Sequence, residues 1–235
     1  MSDLVLETAP LSPSGGSAVA APLNILMSSA LHMLSDPTGA QAESIRVLRT
    51  YLVAQHLSDG RRSLAVCGTA PGDGSSYIAS NLAVAIAQTG IRTLLIDGNM
   101  RDPGIDRVCI PSRPLEGLAQ CLANSERLAQ ELIVESGVPN LSVLYAGGQT
   151  PEAQELLGGP AFKAFMSSCI RDYELTIIDT PAANLCADSR RIASVIRYAL
   201  VVSRRNHSYV KDVRTLIAEL QGDRVSVIGS YLNDY

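Results

Sequence analysis

One feature constrains this chain above all others: short runs that are apolar throughout alternate with longer segments whose apolar residues recur at helical spacing. The runs fall at 64–67, 93–96, 141–144, 175–178, 199–202 and 225–232. Between them, 76–89, 114–122, 154–168, 189–196 and 211–220 read as helices or parts of helices. A strand covered on both faces is apolar at every position, whereas a half-exposed strand alternates polar with apolar. Such runs alternating with helices predict an α/β fold of three layers, a mostly parallel sheet with helices on both faces. Ligands of such sheets sit beyond the carboxyl ends of the strands, so the residues after each run are where chemistry is expected.

The flanks are different. No Asp, Glu, Lys or Arg occurs between positions 8 and 35, and 9–22 is mostly Pro, Ser, Gly and Ala. This reads as a flexible N-terminal arm over 1–38, followed by one domain over 39–235. Within the arm, Leu23, Ile25, Leu26, Met27, Leu31, Met33 and Leu34 form an apolar patch that docks either on the chain's own domain or on a partner. Own-domain docking is the simpler reading. Residues 40–57, with Ile45, Leu48, Leu52 and Val53 at helical spacing, predict a helix.

A mean hydropathy of +0.15 raises the question of a membrane protein. No run approaches the roughly 18 apolar residues of a spanning helix. Asp3 and Glu7 stand where a secretory signal would carry basic residues, so a soluble, cytoplasmic protein is expected. A net charge of −4 and a pI near 5.4 argue against a nucleic-acid partner. Five cysteines without C-x-x-C spacing suggest neither a disulfide framework nor a zinc site. Nor do His32, His56 and His207 have companions at metal-ligand spacing.

The first run passes through Gly68 into Thr69-Ala70-Pro71-Gly72-Asp73-Gly74-Ser75-Ser76 and then a helix. A strand, a Gly-rich loop and a helix N-terminus together form the arrangement that holds phosphate through backbone N–H groups and the helix dipole. Set against the P-loop ending G-K-[ST], Gly74 and Ser76 match, and Ser75 stands where the lysine belongs. Gly72 and Gly74 would let the backbone curl around phosphates, and Ser76 occupies the place of the Mg²⁺-binding hydroxyl. Gly-rich turns before helices are common, so the loop alone decides little. Two more strand ends add to it. The second run ends in Asp97 and the fourth in Asp179-Thr180-Pro181, the latter in the form of a Walker B strand whose aspartate holds Mg²⁺.

Taken together, Gly68–Ser76, Ile96-Asp97-x-x-x-Arg101-x-Pro103 and Ile178-Asp179-Thr180-Pro181 resemble the bacterial tyrosine kinase family of exopolysaccharide and capsule synthesis, within the MinD/ParA-like P-loop class. The resemblance runs from about residue 41 to residue 233. Glu43-x-x-Arg46-x-x-Arg49 is similar to the family's E-x-x-R-x-x-R helix, which implies a subunit contact in a ring-shaped homo-oligomer. On spacing alone, Glu43 and Arg46 can pair within the helix while Arg46 and Arg49 reach outward. Ala146-Gly147-Gly148-Gln149-Thr150-Pro151 before Glu155-Leu156-Leu157 looks like the family's G-x-x-P-P-N-P-x-E-L-L segment. Asp188 matches an aspartate following Walker B, and Asn233 matches an asparagine near the nucleotide base. The resemblance implies ATP or ADP with Mg²⁺ as cofactors. It also implies nucleotide contacts at Gly72, Asp73, Gly74, Ser75, Ser76 and Asn233, metal contacts at Ser76, Asp97 and Asp179, and catalysis by Asp97 and Asp179. The implied partner is a membrane polysaccharide co-polymerase, which would hold the protein at the inner membrane.

The departures from the family lie in the chemistry. Ser75 replaces the lysine, and Asn99 replaces the second acidic residue after Asp97. Losing a positioned electrostatic contact of this kind costs about 10²–10³ in rate. Where the family carries a tyrosine-rich tail, Tyr231 and Tyr235 are the nearby tyrosines. The expectation is therefore a regulatory or scaffolding pseudo-kinase. One alternative is an active autokinase or ATPase that recruits a cation elsewhere, with Arg204 and Arg205 as candidates. A second is a positioning ATPase of the MinD/ParA type, although Ala70 stands where that class has a further lysine.

Overall fold

All six apolar runs form strands in the computed structural model, which describes residues 23–124, 127 and 129–234. The chain begins with β1 (Ile25–Met27), α1 (His32–Ser35) and α2 (Ala40–Leu52), then enters β2 (Ser63–Gly68), α3 (Ser75–Ala87) and β3 (Thr93–Asp97). It continues through β4 (Cys109–Pro111), α4 (Leu118–Ala123), α5 (Ala129–Leu132), β5 (Val134–Glu135), β6 (Leu141–Leu144), α6 (Ala153–Gly158) and α7 (Pro160–Asp172). The last elements are β7 (Leu175–Asp179), α8 (Asp188–Ile196), β8 (Tyr198–Arg204), α9 (Val210–Gly222) and β9 (Ser226–Asn233). Seven strands form one sheet in the order β5-β6-β3-β7-β2-β8-β9. Only the short edge strand β5 runs antiparallel to its neighbour.

Side chains of β2 alternate between two apolar layers. Leu64 and Val66 join Ile45, Leu52, Leu82 and Ile86 on one face, and Ala65 and Cys67 join Phe162, Met166 and Ile192 on the other. This double covering is why the run is apolar at every position. Helix α3 is buried from Ile78 to Ala87 because it lies between the sheet and α2. Each Leu or Ile taken fully out of water there contributes about 1.5–3 kcal/mol. The helical segment read over 154–168 is two helices. Pro160 disfavours helical geometry at the residue before it, so Gly159 is extended (φ −75°, ψ 163°) and α7 starts afresh with Pro160 in its first turn.

Residues 23–38, placed within the N-terminal arm by composition, pack on the domain, which is the simpler of the two readings of their apolar patch. β1 pairs antiparallel with β4, and Leu31 and Met33 are buried. Asn81 of α3 fastens the segment, accepting from the Met33 N–H at 3.2 Å and donating to the Ala30 carbonyl at 3.0 Å. Residues 1–22, the rest of the expected arm, lie outside the described residues. Among the described residues no helix is long and apolar enough to cross a membrane. Four of the five cysteines are buried, and Cys186 is half-buried.

Candidate functional site

At the carboxyl end of β2 the chain turns twice through left-handed glycines, Gly72 (φ +86°) and Gly74 (φ +91°), before α3 begins at Ser75. Gly74 is required on two counts, since a Cβ there would lie 2.2 Å from Asn233 Nδ2. Among the described residues no side chain caps α3, so its first N–H groups have neither a cap there nor an intrahelical partner. The loop is shaped from inside by Asp73. This carboxylate is 1% exposed. Its Oδ2 accepts from the Thr69 N–H at 2.8 Å, the Thr69 hydroxyl at 2.6 Å and the Ala70 N–H at 2.9 Å. Its Oδ1 accepts from the Ser208 hydroxyl at 2.5 Å. Asp73 thus faces the loop interior, its oxygens taken up by these donors. Asn233 also sits behind the loop, donating to the Asp73 carbonyl at 3.1 Å.

The two strand-end aspartates are direct partners across β3 and β7. Both are fully buried. Asp97 accepts from the backbone N–H of Asn99 at 3.0 Å on one oxygen, and from Gly104 and Ile105 at 2.9 Å each on the other. It therefore anchors the 98–105 segment. Asp179 accepts from the Ser76 hydroxyl on Oδ2, and its buried Oδ1 has no hydrogen-bond partner among the described residues. Burial pushes the Asp97 carboxyl above the usual carboxylate range, against the pull of its three N–H donors. Asp179 is pushed up as well, by burial first and then by the neighbouring Asp97 charge. The anchored segment brings Gly104 so close to α3 that a Cβ there would lie 2.5 Å from Ser76 Oγ.

Between the loop, this segment and the residues after β7 lies a cavity of about 230 Å³, whose walls include Gly72, Gly74, Ser75, Ser76, Asn99, Arg101, Arg107, Pro181 and Cys186. Hollows of about 670 and 750 Å³ lie elsewhere. The first of these, walled by Arg92, Asn140 and Tyr173, opens at the amino ends of the strands, the wrong end of a parallel sheet for ligand chemistry. The expected recruits are engaged outside the cavity. Arg204 donates to the Gly72 carbonyl at 3.2 Å, bracing the loop, and Arg205 pairs with Asp234 at 3.0 Å. The cations that do line the cavity are Arg101 and Arg107. Arg101 Nε donates to Asp188 Oδ2 at 2.6 Å across 87 residues of sequence, a pairing that no local pattern could have signalled. Arg107 pairs with Asp102.

On α2, Glu43 and Arg46 pair at 3.0 Å as their spacing predicts. Arg46 also donates to the Pro37 carbonyl. Arg49, expected to reach outward, turns back to the Ala85 carbonyl of α3 at 3.4 Å.

No family model matches the chain. It is 29% identical to CapB of Staphylococcus aureus over 209 residues, 87% of this chain and 89% of that one. To the tyrosine-protein kinase Wzc of Salmonella typhimurium it is 28% identical over 205 residues, 87% of this chain and 28% of that one. It therefore spans about a quarter of the longer relative. In fold it is similar to the kinase domain of the Escherichia coli tyrosine kinase ETK, with a TM-score of 0.81 and 24% identity over 87% of this chain and 79% of that one. The septum site-determining protein MinD of Pyrococcus horikoshii, solved as a complex with Mg-ADP, gives a TM-score of 0.63 at 19% identity over 74% of this chain and 70% of that one. By sequence the chain resembles the bacterial tyrosine kinases, and in fold it is similar to their kinase domain and to MinD, with serine at the lysine position of its glycine-rich loop.

Proposed function

We propose that this protein is a regulatory or scaffolding relative of the bacterial tyrosine kinases, binding Mg-nucleotide but transferring phosphoryl groups poorly. The observation that carries this reading is Ser75, in the wall of the cavity at the position of the P-loop lysine. The whole sequence holds two lysines, Lys163 and Lys211, and neither lines that cavity. A P-loop without lysine keeps its backbone cradle but lacks the point charge that follows the transferred phosphoryl group.

The remaining residues fit the cofactor. A buried carboxylate oxygen without a partner is costly unless a cation meets it, and Asp179 Oδ1 is such an oxygen. Ser76 and Asp179 would hold Mg²⁺, and the Gly72–Gly74 backbone with the start of α3 would hold the phosphates. The bound metal would supply charge neutralisation on the phosphate oxygens. Asp97 supports that site from beneath by fixing the 98–105 segment and adding negative charge beside Asp179.

In this reading the protein works at the cytoplasmic face of the inner membrane in exopolysaccharide synthesis and export. Its contact with the membrane runs through a polysaccharide co-polymerase, and Glu43, Arg46 and Arg49 contribute to a homo-oligomer. Likeness to the tyrosine kinases supports this, and the partner and the assembly are the parts to be tested.

A titration with MgATP, comparing the natural protein with Ser75→Lys, tests the central claim. The natural protein is expected to bind MgATP and to form little phosphotyrosine, while Ser75→Lys binds more tightly. Rapid ATP turnover or phosphotyrosine formation by the natural protein, abolished by Asp179→Ala, would instead establish an active kinase. Co-purification with the co-polymerase tests the partner. Solution mass tests the assembly, and a strict monomer with and without nucleotide would reject it.

A further inference from the structure

We propose that Arg101, held by Asp188, is the cation that meets the phosphate chain in place of the missing P-loop lysine. This rests on the nucleotide-binding reading above and names the side chain that sustains it. A triphosphate brought to a loop without lysine still requires compensating positive charge, because helix N–H groups and Mg²⁺ cover only part of it.

Three observations select Arg101. It lines the same cavity as Ser75 and Ser76, which neither lysine of the chain does. It is fixed in place: its Nε donates to Asp188 Oδ2 at 2.6 Å, and Asp188 is 1% exposed at the first position of α8, where the helix dipole favours a carboxylate. With Nε given to that anchor and Cys186 beside the guanidinium, further N–H groups remain on the terminal nitrogens, the fork that suits phosphate oxygens, on a side chain that is 38% exposed.

The rival arginines fit less well. Arg107 and Asp102 form a pair in which both side chains are more than 60% exposed, too mobile and too well screened to hold a fixed contact. Arg204 grips the Gly72 carbonyl and does not line the cavity. Asp188 is then a positioning residue. Its charge offsets part of that of Arg101, so the site should bind nucleotide more weakly than a loop with lysine.

The test is a double-mutant cycle on MgATP affinity with the full chain: natural protein, Arg101→Ala, Ser75→Lys, and both together. Losing a charged hydrogen bond to phosphate is expected to weaken MgATP binding about tenfold to a hundredfold in Arg101→Ala. In the Ser75→Lys background the same change should cost less than about threefold, because the lysine takes over the task. A merely structural role for Arg101 would give equal losses in both backgrounds. Arg101→Gln, which keeps an N–H donor for Asp188, is measured in parallel, so unfolding of the alanine variant does not decide the result. Unchanged affinity in Arg101→Gln, or equal losses in the two backgrounds, overturns the assignment of Arg101 alone. Failure of the natural protein to bind MgATP at all overturns the nucleotide reading, and this proposal with it.

Discussion

Asp97 and Asp179 end adjacent strands, face each other in register and are equally buried, yet they do opposite work. The Asp97 end is closed, with three backbone N–H groups filling both oxygens and drawing the 98–105 segment down onto α3. The Asp179 end is open, with one oxygen on the Ser76 hydroxyl and the other without a hydrogen-bond partner among the described residues. A carboxylate at a strand end is thus two different things depending on the chain that follows it. After β3 the backbone returns to meet the acid, and after β7 it moves away through Thr180 and Pro181. The first acid is a structural anchor, and the second is the one that the proposed function gives to the cation.

Matched Asn substitutions break this comparison most strongly. Asp97→Asn turns an amide N–H₂ toward backbone N–H groups and leaves at least one buried donor unsatisfied. The expected loss is about 2–3 kcal/mol of unfolding free energy. Asp179→Asn keeps an acceptor for Ser76 and removes a buried charge from beside Asp97, so it should cost less than about 1 kcal/mol, or stabilise. Denaturant unfolding of both variants decides it, and equal losses would mean that the two ends are not distinct.

The same asymmetry sets a pH dependence. The folded-state pKa of Asp179 is raised, so between the ordinary carboxylate range and that raised value the folded state holds a proton that the unfolded state has released. Stability at this site is therefore greatest below about pH 4 and falls as pH climbs through the raised value. Asp179→Asn should flatten that fall, read as the difference in unfolding free energy between the two proteins at about pH 5 and pH 8. Mg²⁺ with nucleotide should restore stability to the natural protein at the higher pH and do little for the variant.

Gly104 lies where the two ends meet. Its N–H bonds Asp97, and an added Cβ would press within 2.5 Å of the hydroxyl that bonds Asp179. Gly104→Ala must push either Ser76 or the segment aside, at about 1–2 kcal/mol. MgATP affinity should fall with it. Full affinity at unchanged stability would show that the segment floats free of α3 and that Asp97 anchors nothing of consequence to the site.

Much of this was legible from local patterns. Six apolar runs became six strands of the sheet, and their carboxyl ends placed Gly72, Gly74, Ser76, Asp97 and Asp179 together. Periodicity reports which face of a strand is buried, and strand ends follow from topology. What patterns could not report is direction. Asp73 sits in the motif, but its carboxylate turns inward because Thr69, Ala70 and Ser208 offer it donors there. The Arg101–Asp188 pair joins residues that topology alone brings together. The apolar patch at 23–34 signalled docking, but not where: its fastening lies in the pairing of β1 with β4 and in Asn81 of α3, both remote in sequence.

The smallest expected effect is the most discriminating. Asn99 occupies the place of a second acid after Asp97, and its side chain donates to the Asp102 carbonyl at 2.6 Å and accepts from the Asp102 N–H at 3.1 Å. Asn99→Asp keeps the acceptor and loses the donor at a solvent-exposed turn, so the stability change should be no more than about 0.5–1 kcal/mol. Its informative readout is the Mg²⁺ concentration required for half-maximal nucleotide binding. If the Asp97 end is an anchor, a new carboxylate two residues on leaves that concentration within about twofold, because Ser76 and Asp179 alone carry the metal. A tenfold drop would place the β3 end inside the metal site, and the division between a closed and an open aspartate would then describe one conformation of a shared site.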